Sequence, residues 1–334
     1  MMKNKIEFFK FDSNTLSQTT NYTTELPTLI KDIELSALGL SYYTAKAMLT
    51  RATKFTPAVR GYALSYFSII PCLLTKNNGY WAIEKNNKDL LRDFSKTARI
   101  GEIAQGISYY VSVRELGALS VWDYNEFFKQ RKIVLPPKPG RLPDYVLSYG
   151  DKTYGVLESK GTMDNDPTPR IKDANKQCVN GKSILVNKSV PVKNSFATAV
   201  SFSTNSPSIN RNTRIYVVDP EEEVFQKESI DYKAEVIHEC SKHLCLAGDL
   251  NAANAFAKVY AENHMGEYSL SDFEKTGSFK VIDDEDKVHT YEMGFSEKLI
   301  KYLKLDSNEP FRIEPLIDGD TEFFHDGTYI KRVE

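Results

Sequence analysis

Three residues near the middle of the chain have the types and spacing for phosphodiester chemistry. In "GRLPDYVLSYGDKTYGVLESKG", Gly140 to Gly161, Asp144 opens one strand-like run, and Glu158 and Lys160 close the next. Side chains alternate across a strand, so Glu158 and Lys160 share a face with Val156, while Leu157 and Ser159 take the other. The Gly150–Lys152 turn predicts a β-hairpin, and pairing about it sets Asp144 roughly opposite Glu158. Two carboxylates brought together repel, and one is pushed toward its protonated form unless a cation lies between them. Mg²⁺ takes one or two carboxylates with waters and a phosphate oxygen, and it suits such a pair. A neighbouring lysine would hold the scissile phosphate, or orient and help deprotonate the attacking water, while the metal lowers the pKa of a bound water. The bland alternative is an edge hairpin whose charges are solvated.

The elements around this stretch must position the three residues. "TARIGEIAQGISYYVSVRELG" (97–117) predicts a helix, with Ile100, Ile103, Ala104, Ile107, Tyr110 and Val111 on one stripe and Glu102 off it near the start. "RKIVLPP", near residue 132, predicts a short strand before the hairpin. After the hairpin, Thr168 as N-cap and Pro169 at the first helical position open a helix with Ile171, Ala174, Cys178, Gly181 and Leu185 on one side. "FATAVSFST" and "TRIYVVDP" predict two further strands.

The Pro143–Asp144 pair, fourteen residues ahead of Glu158-Ser159-Lys160, resembles the motif of the PD-(D/E)xK nuclease superfamily. The order of elements from about 97 to 219 is similar as well. The resemblance implies an α/β fold with a restriction endonuclease-like core (helix, three strands, helix, strand). It implies a metal held by Asp144 and Glu158, completed by Glu102 on the first helix, with Lys160 at the water. Gln177 or Lys176, on the helix after the E-x-K strand, would support the phosphate. The implied activity is Mg²⁺-dependent cleavage of DNA, with Mn²⁺ as a substitute, in restriction or anti-phage defence. The chain would act as a homodimer or with a partner subunit. A catalytically inactive scaffold of the same fold, or an RNase, are the rival expectations.

Composition sets the frame. The chain has 334 residues with 41% hydrophobic and 26% charged, enough for one large or several small domains. Net charge is -2, so a nucleic-acid surface must be local rather than global. The first residues lack the apolar core of a signal peptide, and "YALSYFSIIPCLL" is too short for a membrane span, which points to a cytoplasmic chain. The expected organisation is a mostly helical region over 1–96, the nuclease-like core over 97–220, and a helical and hairpin extension over 221–334. Cys72, Cys178, Cys240 and Cys245 have no framework spacing and read as reduced thiols. His238, Cys240, His243 and Cys245 offer zinc-ligand types, but a helix splits them between two sides, and core packing is the preferred reading. The acidic run from Asp283 to Lys287 reads as a hairpin turn. Arg211 and Arg214 sit in a polar loop, "STNSPSINRNTR", suited either to phosphate contact or to plain exposure.

Overall fold

Alternation of apolar side chains across one large sheet divides the interior into two cores. The computed structural model describes residues 3–12, 27–85, 93–150, 153–206, 211–219, 232–258, 273, 276–282, 287–305 and 311–333. In chain order the first elements are β1 (Lys3–Asp12), β2 (Thr28–Ser36), α1 (Ala37–Thr50), α2 (Pro57–Leu64), α3 (Tyr66–Leu73), β3 (Leu74–Asn77) and β4 (Tyr80–Ile83). Then come α4 (Asp93–Arg114), β5 (Ser120–Asp123), α5 (Tyr124–Gln130), β6 (Tyr145–Ser148), β7 (Tyr154–Thr162), α6 (Thr168–Val186), β8 (Val192–Ser201) and β9 (Arg214–Asp219). The fold is mixed α/β. The large sheet runs β3-β4-β1-β9-β8-β7-β6-β5, with β2 pairing β1. Strands β5, β6 and β7 are antiparallel to one another, β7 and β8 are parallel, and α6 makes the crossover between them.

On one face lie Val146, Val156, Ala197 and Ala199, packed under Ile171, Ala174, Cys178 and Leu185 of α6. On the other lie Leu147, Leu157, Phe196 and Val200, packed against Ile100, Ile103, Ala104 and Ile107 of α4. The stripe read on α4 is therefore its core face. Gly181 allows the chain around Pro143 to come close, because a Cβ there would lie 2.5 Å from the proline ring. The Tyr124 hydroxyl donates to the Gly181 carbonyl oxygen at 2.9 Å and ties α5 to the same spot.

Beyond the first sheet come α7 (Tyr232–Ala247), α8 (Leu250–Ala257), β10 (Gly277–Ile282), β11 (Val288–Phe295), α9 (Glu297–Lys304), β12 (Leu316–Asp318), β13 (Thr321–Phe323) and β14 (Thr328–Arg332). A second, antiparallel sheet has the order β10-β11-β14-β13-β12. The break between α7 and α8 falls at Gly248 and Asp249, where glycine takes a φ of +102° and Asp249 accepts from the Ala252 N–H. The β10–β11 pairing matches the expected hairpin, although most of its acidic turn lies outside the described residues.

Several expectations need correction. The described residues of 1–96 are not mostly helical, since four strands lie among them and β1 enters the large sheet beside β9. Its apolar alternation (Ile6, Phe8) is interrupted by a bulge at Phe8/Phe9, which obscures the period. The strand near 132 is absent; residues 131–144 form no regular element, and four prolines in this stretch remove ladder donors. The first strand of the hairpin sheet is instead β5, which ends at Asp123, the N-cap accepting from the N–H groups of Asn125 and Glu126. Helix α6 starts one residue early, at Thr168, without a side-chain cap. Residues from all three expected segments share the core on the α4 face. Among the described residues no helix is long and apolar enough to cross a membrane.

That shared core holds a buried ionic cluster. Lys46 of α1 bonds to Asp326 at 2.7 Å and pairs with Glu239 of α7. Lys242 bonds to Glu239 at 2.8 Å and to the carbonyl oxygen of Val121 at 2.6 Å. Burial opposes ionisation of Asp326, but Lys46 overrides it and holds the carboxyl far below the usual range. Burial likewise opposes Glu239, yet the two lysines bring it down to about 2. Removing one ion leaves its partners buried and uncompensated. Lys46→Met is expected to destabilise the fold by about 3–5 kcal/mol, measured by urea unfolding; a loss below about 1 kcal/mol would show the cluster to be dispensable.

Candidate functional site

The hairpin brings Asp144 and Glu158 together. Tyr145 pairs with Leu157 across β6 and β7, so the next position outward sets Asp144 opposite Glu158. The Asp144 N–H donates to Glu158 Oε2 at 2.8 Å, and the Ser159 N–H donates to Asp144 Oδ2 at 3.1 Å. Glu158 and Lys160 face α6 together with Val156. Ser159 faces the opposite way, where its hydroxyl lies 2.8 Å from that of Ser108 on α4.

Lys160 caps the pair. Its ammonium hydrogen-bonds Glu158 Oε1 and stands 3.5 Å from Asp173 Oδ2 on α6. Glu158 is almost wholly buried, with 4% of its side chain exposed, whereas Lys160 keeps 24% and has access to solvent. Burial first, and then the Asp144 carboxylate, push Glu158 up to about 7, against the pull of Lys160. Burial would lower Lys160, but Glu158, Asp144 and Asp173 outweigh it and raise its pKa. The lysine is therefore a cation at neutral pH.

Two residues not anticipated from sequence complete this surface. Arg51, which ends α1, donates to Asp144 Oδ1 at 2.7 Å. Gln105 of α4 donates to the same oxygen at 3.3 Å. Arg51 lies 93 positions from Asp144, and nothing local in the sequence marks it. Gln105 was within reach of sequence reasoning, being one helical turn beyond Glu102. Glu102 itself engages elsewhere, accepting from the Tyr62 hydroxyl and from Arg99 at 3.0 Å. The structure gives it no contact with either acid, so Gln105 takes the place expected for Glu102. Gln177 is buried and donates to Asp173 Oδ2 at 3.1 Å, which connects it to Lys160 through Asp173. Lys176 is exposed.

Among the described residues no group of three or more His, Cys, Asp and Glu side chains comes together. A site of two carboxylates completed by water and phosphate oxygens suits Mg²⁺. The Gln105 amide oxygen is buried without a hydrogen-bond donor, on the same amide whose nitrogen reaches Asp144. A hydrated cation beside Asp144 would supply one. The residues present fit the ion, with Arg51 as its competitor for Asp144.

The other zinc-type residues go separate ways. His238 stacks on Trp122 with ring centroids 3.3 Å apart, His243 lies 3.2 Å from the Tyr42 hydroxyl, and Cys240 and Cys245 are buried in the core. Compared with known proteins, the chain matches no family model, no curated protein and no solved structure.

A pH test isolates Glu158 without metal. Glu158 has a raised folded pKa, so it favours folding below its unfolded value of 4.5, and that contribution is lost as pH rises toward about 7. Glu158→Gln removes the titration. The stability difference between variant and parent is expected to grow in the variant's favour between pH 4.5 and 7, by about 3 kcal/mol, and to level off above. Urea titrations across that range in EDTA measure it, and a flat difference would show that Glu158 does not titrate there.

Proposed function

We propose that this chain is a metal-dependent nuclease of the PD-(D/E)xK kind that hydrolyses DNA phosphodiester bonds. One observation carries the reading. Asp144 and Glu158 meet across a hairpin, hydrogen-bonded backbone to side chain, with a solvent-reaching Lys160 beside them on the same face. The sequence of α4, β5, β6, β7, α6 and β8, with its two antiparallel pairings and one parallel one, supports it; α5 is an insertion after the first strand.

Asp144 and Glu158 would hold Mg²⁺, which when bound would polarise the phosphate and acidify a water. Lys160, charged at neutral pH, would stabilise negative charge growing on the phosphoryl oxygens rather than act as the base. Asp173 and Gln177 would fix the ammonium from the α6 side. A role in restriction or anti-phage defence follows from the resemblance alone. Plasmid nicking with Mg²⁺ is expected to fall by at least ~10²-fold in Asp144→Ala and Lys160→Ala, with unchanged circular dichroism. Undiminished nicking in either variant would remove the assignment. Parallel assays on single-stranded DNA and RNA fix the substrate.

A second reading rests on Arg51. Its guanidinium already neutralises Asp144, as it would in a binding subunit without catalysis. If Arg51 merely competes with the ion, Arg51→Ala should tighten Mn²⁺ binding in calorimetry. If Mn²⁺ binds neither parent nor variant, the binding-subunit reading stands.

A further inference from the structure

A second basic cleft opens at the far end of β7. It has a volume of about 350 Å³ and lies between the starts of α4 and α6. Lys96 of α4, Arg170 in the first turn of α6 and Arg211 line it, against one carboxylate, Asp164. Among the described residues none of these three cations has an ion-pair partner. Asp164 is itself occupied, accepting the Thr162 hydroxyl at 2.8 Å.

Arg211 is anchored rather than free. Its Nη2 donates to the carbonyl oxygens of Met163 at 2.7 Å and Phe202 at 2.8 Å, and its Nη1 donates to the Ser201 hydroxyl. Yet its Nε is buried without an acceptor. A guanidinium held in place by neutral oxygens, with no carboxylate paired to it, leaves its charge to a bound anion. Lys96 and Arg170 add charge at the rim, and the positive end of α6 adds to the field.

The cleft also lies in line with the candidate site. Thr162 lines it and sits two residues beyond Lys160 on the same face of β7. Two strand residues advance about 7 Å, roughly two steps of a nucleic-acid strand at about 3.4 Å each. We infer that the cleft of Lys96, Arg170 and Arg211 binds a backbone phosphate of the same nucleic-acid strand whose phosphodiester about two steps away lies at Lys160. This inference rests on the nuclease reading and adds where the strand runs: along β7, past Lys160, between α4 and α6.

Salt dependence of binding tests it. The full-length chain in EDTA is titrated against a fluorescein-labelled oligonucleotide at several KCl concentrations, read by anisotropy. Arg170→Gln and Lys96→Gln remove rim charges without touching the Arg211 anchor. Each is expected to reduce the slope of log K against log salt by about 0.7–0.9, and the double variant by about twice that. An unchanged slope in the double variant overturns the subsite, and if Mg²⁺-dependent cleavage persists in the parent, the nuclease reading survives that failure. A reduced slope with no cleavage by the parent leaves the subsite standing and removes the nuclease reading. Calorimetry with inorganic phosphate separates the sources. If phosphate binds the parent and not the double variant while the oligonucleotide slope is unchanged, the cleft serves free phosphate and the strand assignment falls. No oligonucleotide binding by the parent overturns both.

Discussion

The fold depends on two lysines that never meet water. Lys46 and Lys242 are buried beside Glu239 and Asp326, and through them α1, α7 and the loop before β14 are held at one point. Tyr109 of α4 joins the same cluster, bonded to Glu239 and to Lys242 at 2.9 Å, and Lys242 also reaches the backbone of β5. Such a cluster adds little net stability over a well-packed apolar core, but each ion needs its partners in place. It therefore acts on registry. Helix α1 ends at Thr50, and Arg51 follows directly, so the cluster that fixes α1 also sets where Arg51 meets Asp144. Helix α4 carries both Tyr109 and Gln105, so the second partner of Asp144 is placed by the same constraint.

The hairpin supplies the rest of the site by a different logic. A strand buried on both faces has no cheap place for a charge, so Glu158 is tolerated only because an N–H and an ammonium offset its burial beside Asp144. The Asp144 carboxylate disfavours ionisation of Glu158, and that tension is what a cation would relieve. A mobile surface pair would show no such tension. The arrangement suits chemistry on anions better than it suits stability.

Much of this was legible in the sequence because it is local. The face shared by Val156, Glu158 and Lys160 follows from strand alternation, and the opposition of Asp144 and Glu158 from the hairpin about Gly150. The α4 stripe, the α7–α8 break and the β10–β11 pairing follow from helical period, glycine and turn residues. What stayed hidden is long-range or short. Arg51 reaches Asp144 only through the tertiary packing of α1. Strand β5 has four residues, too few to show a period. Strand β1 alternates, but its bulge breaks the pattern halfway. Glu102 was assigned by position in a motif, whereas the helix turns its carboxylate to Tyr62 and Arg99 and offers Gln105 instead.

The pairing of β1 with β9 has a further consequence, for the order of assembly. Glu7 lies beside Arg214 in the sheet, so β1 waits for some two hundred later residues before this neighbour exists. Closing so long a loop is slow, and on a ribosome it cannot begin until β9 emerges. Until then β1 can pair with β2 and, at Lys5, with β4, leaving the edge from Glu7 onward open, with Phe9 and Phe11 on it. The sheet that carries the candidate site is thus completed late in synthesis, and nascent chains halted before β9 are the ones most exposed to strand-to-strand association.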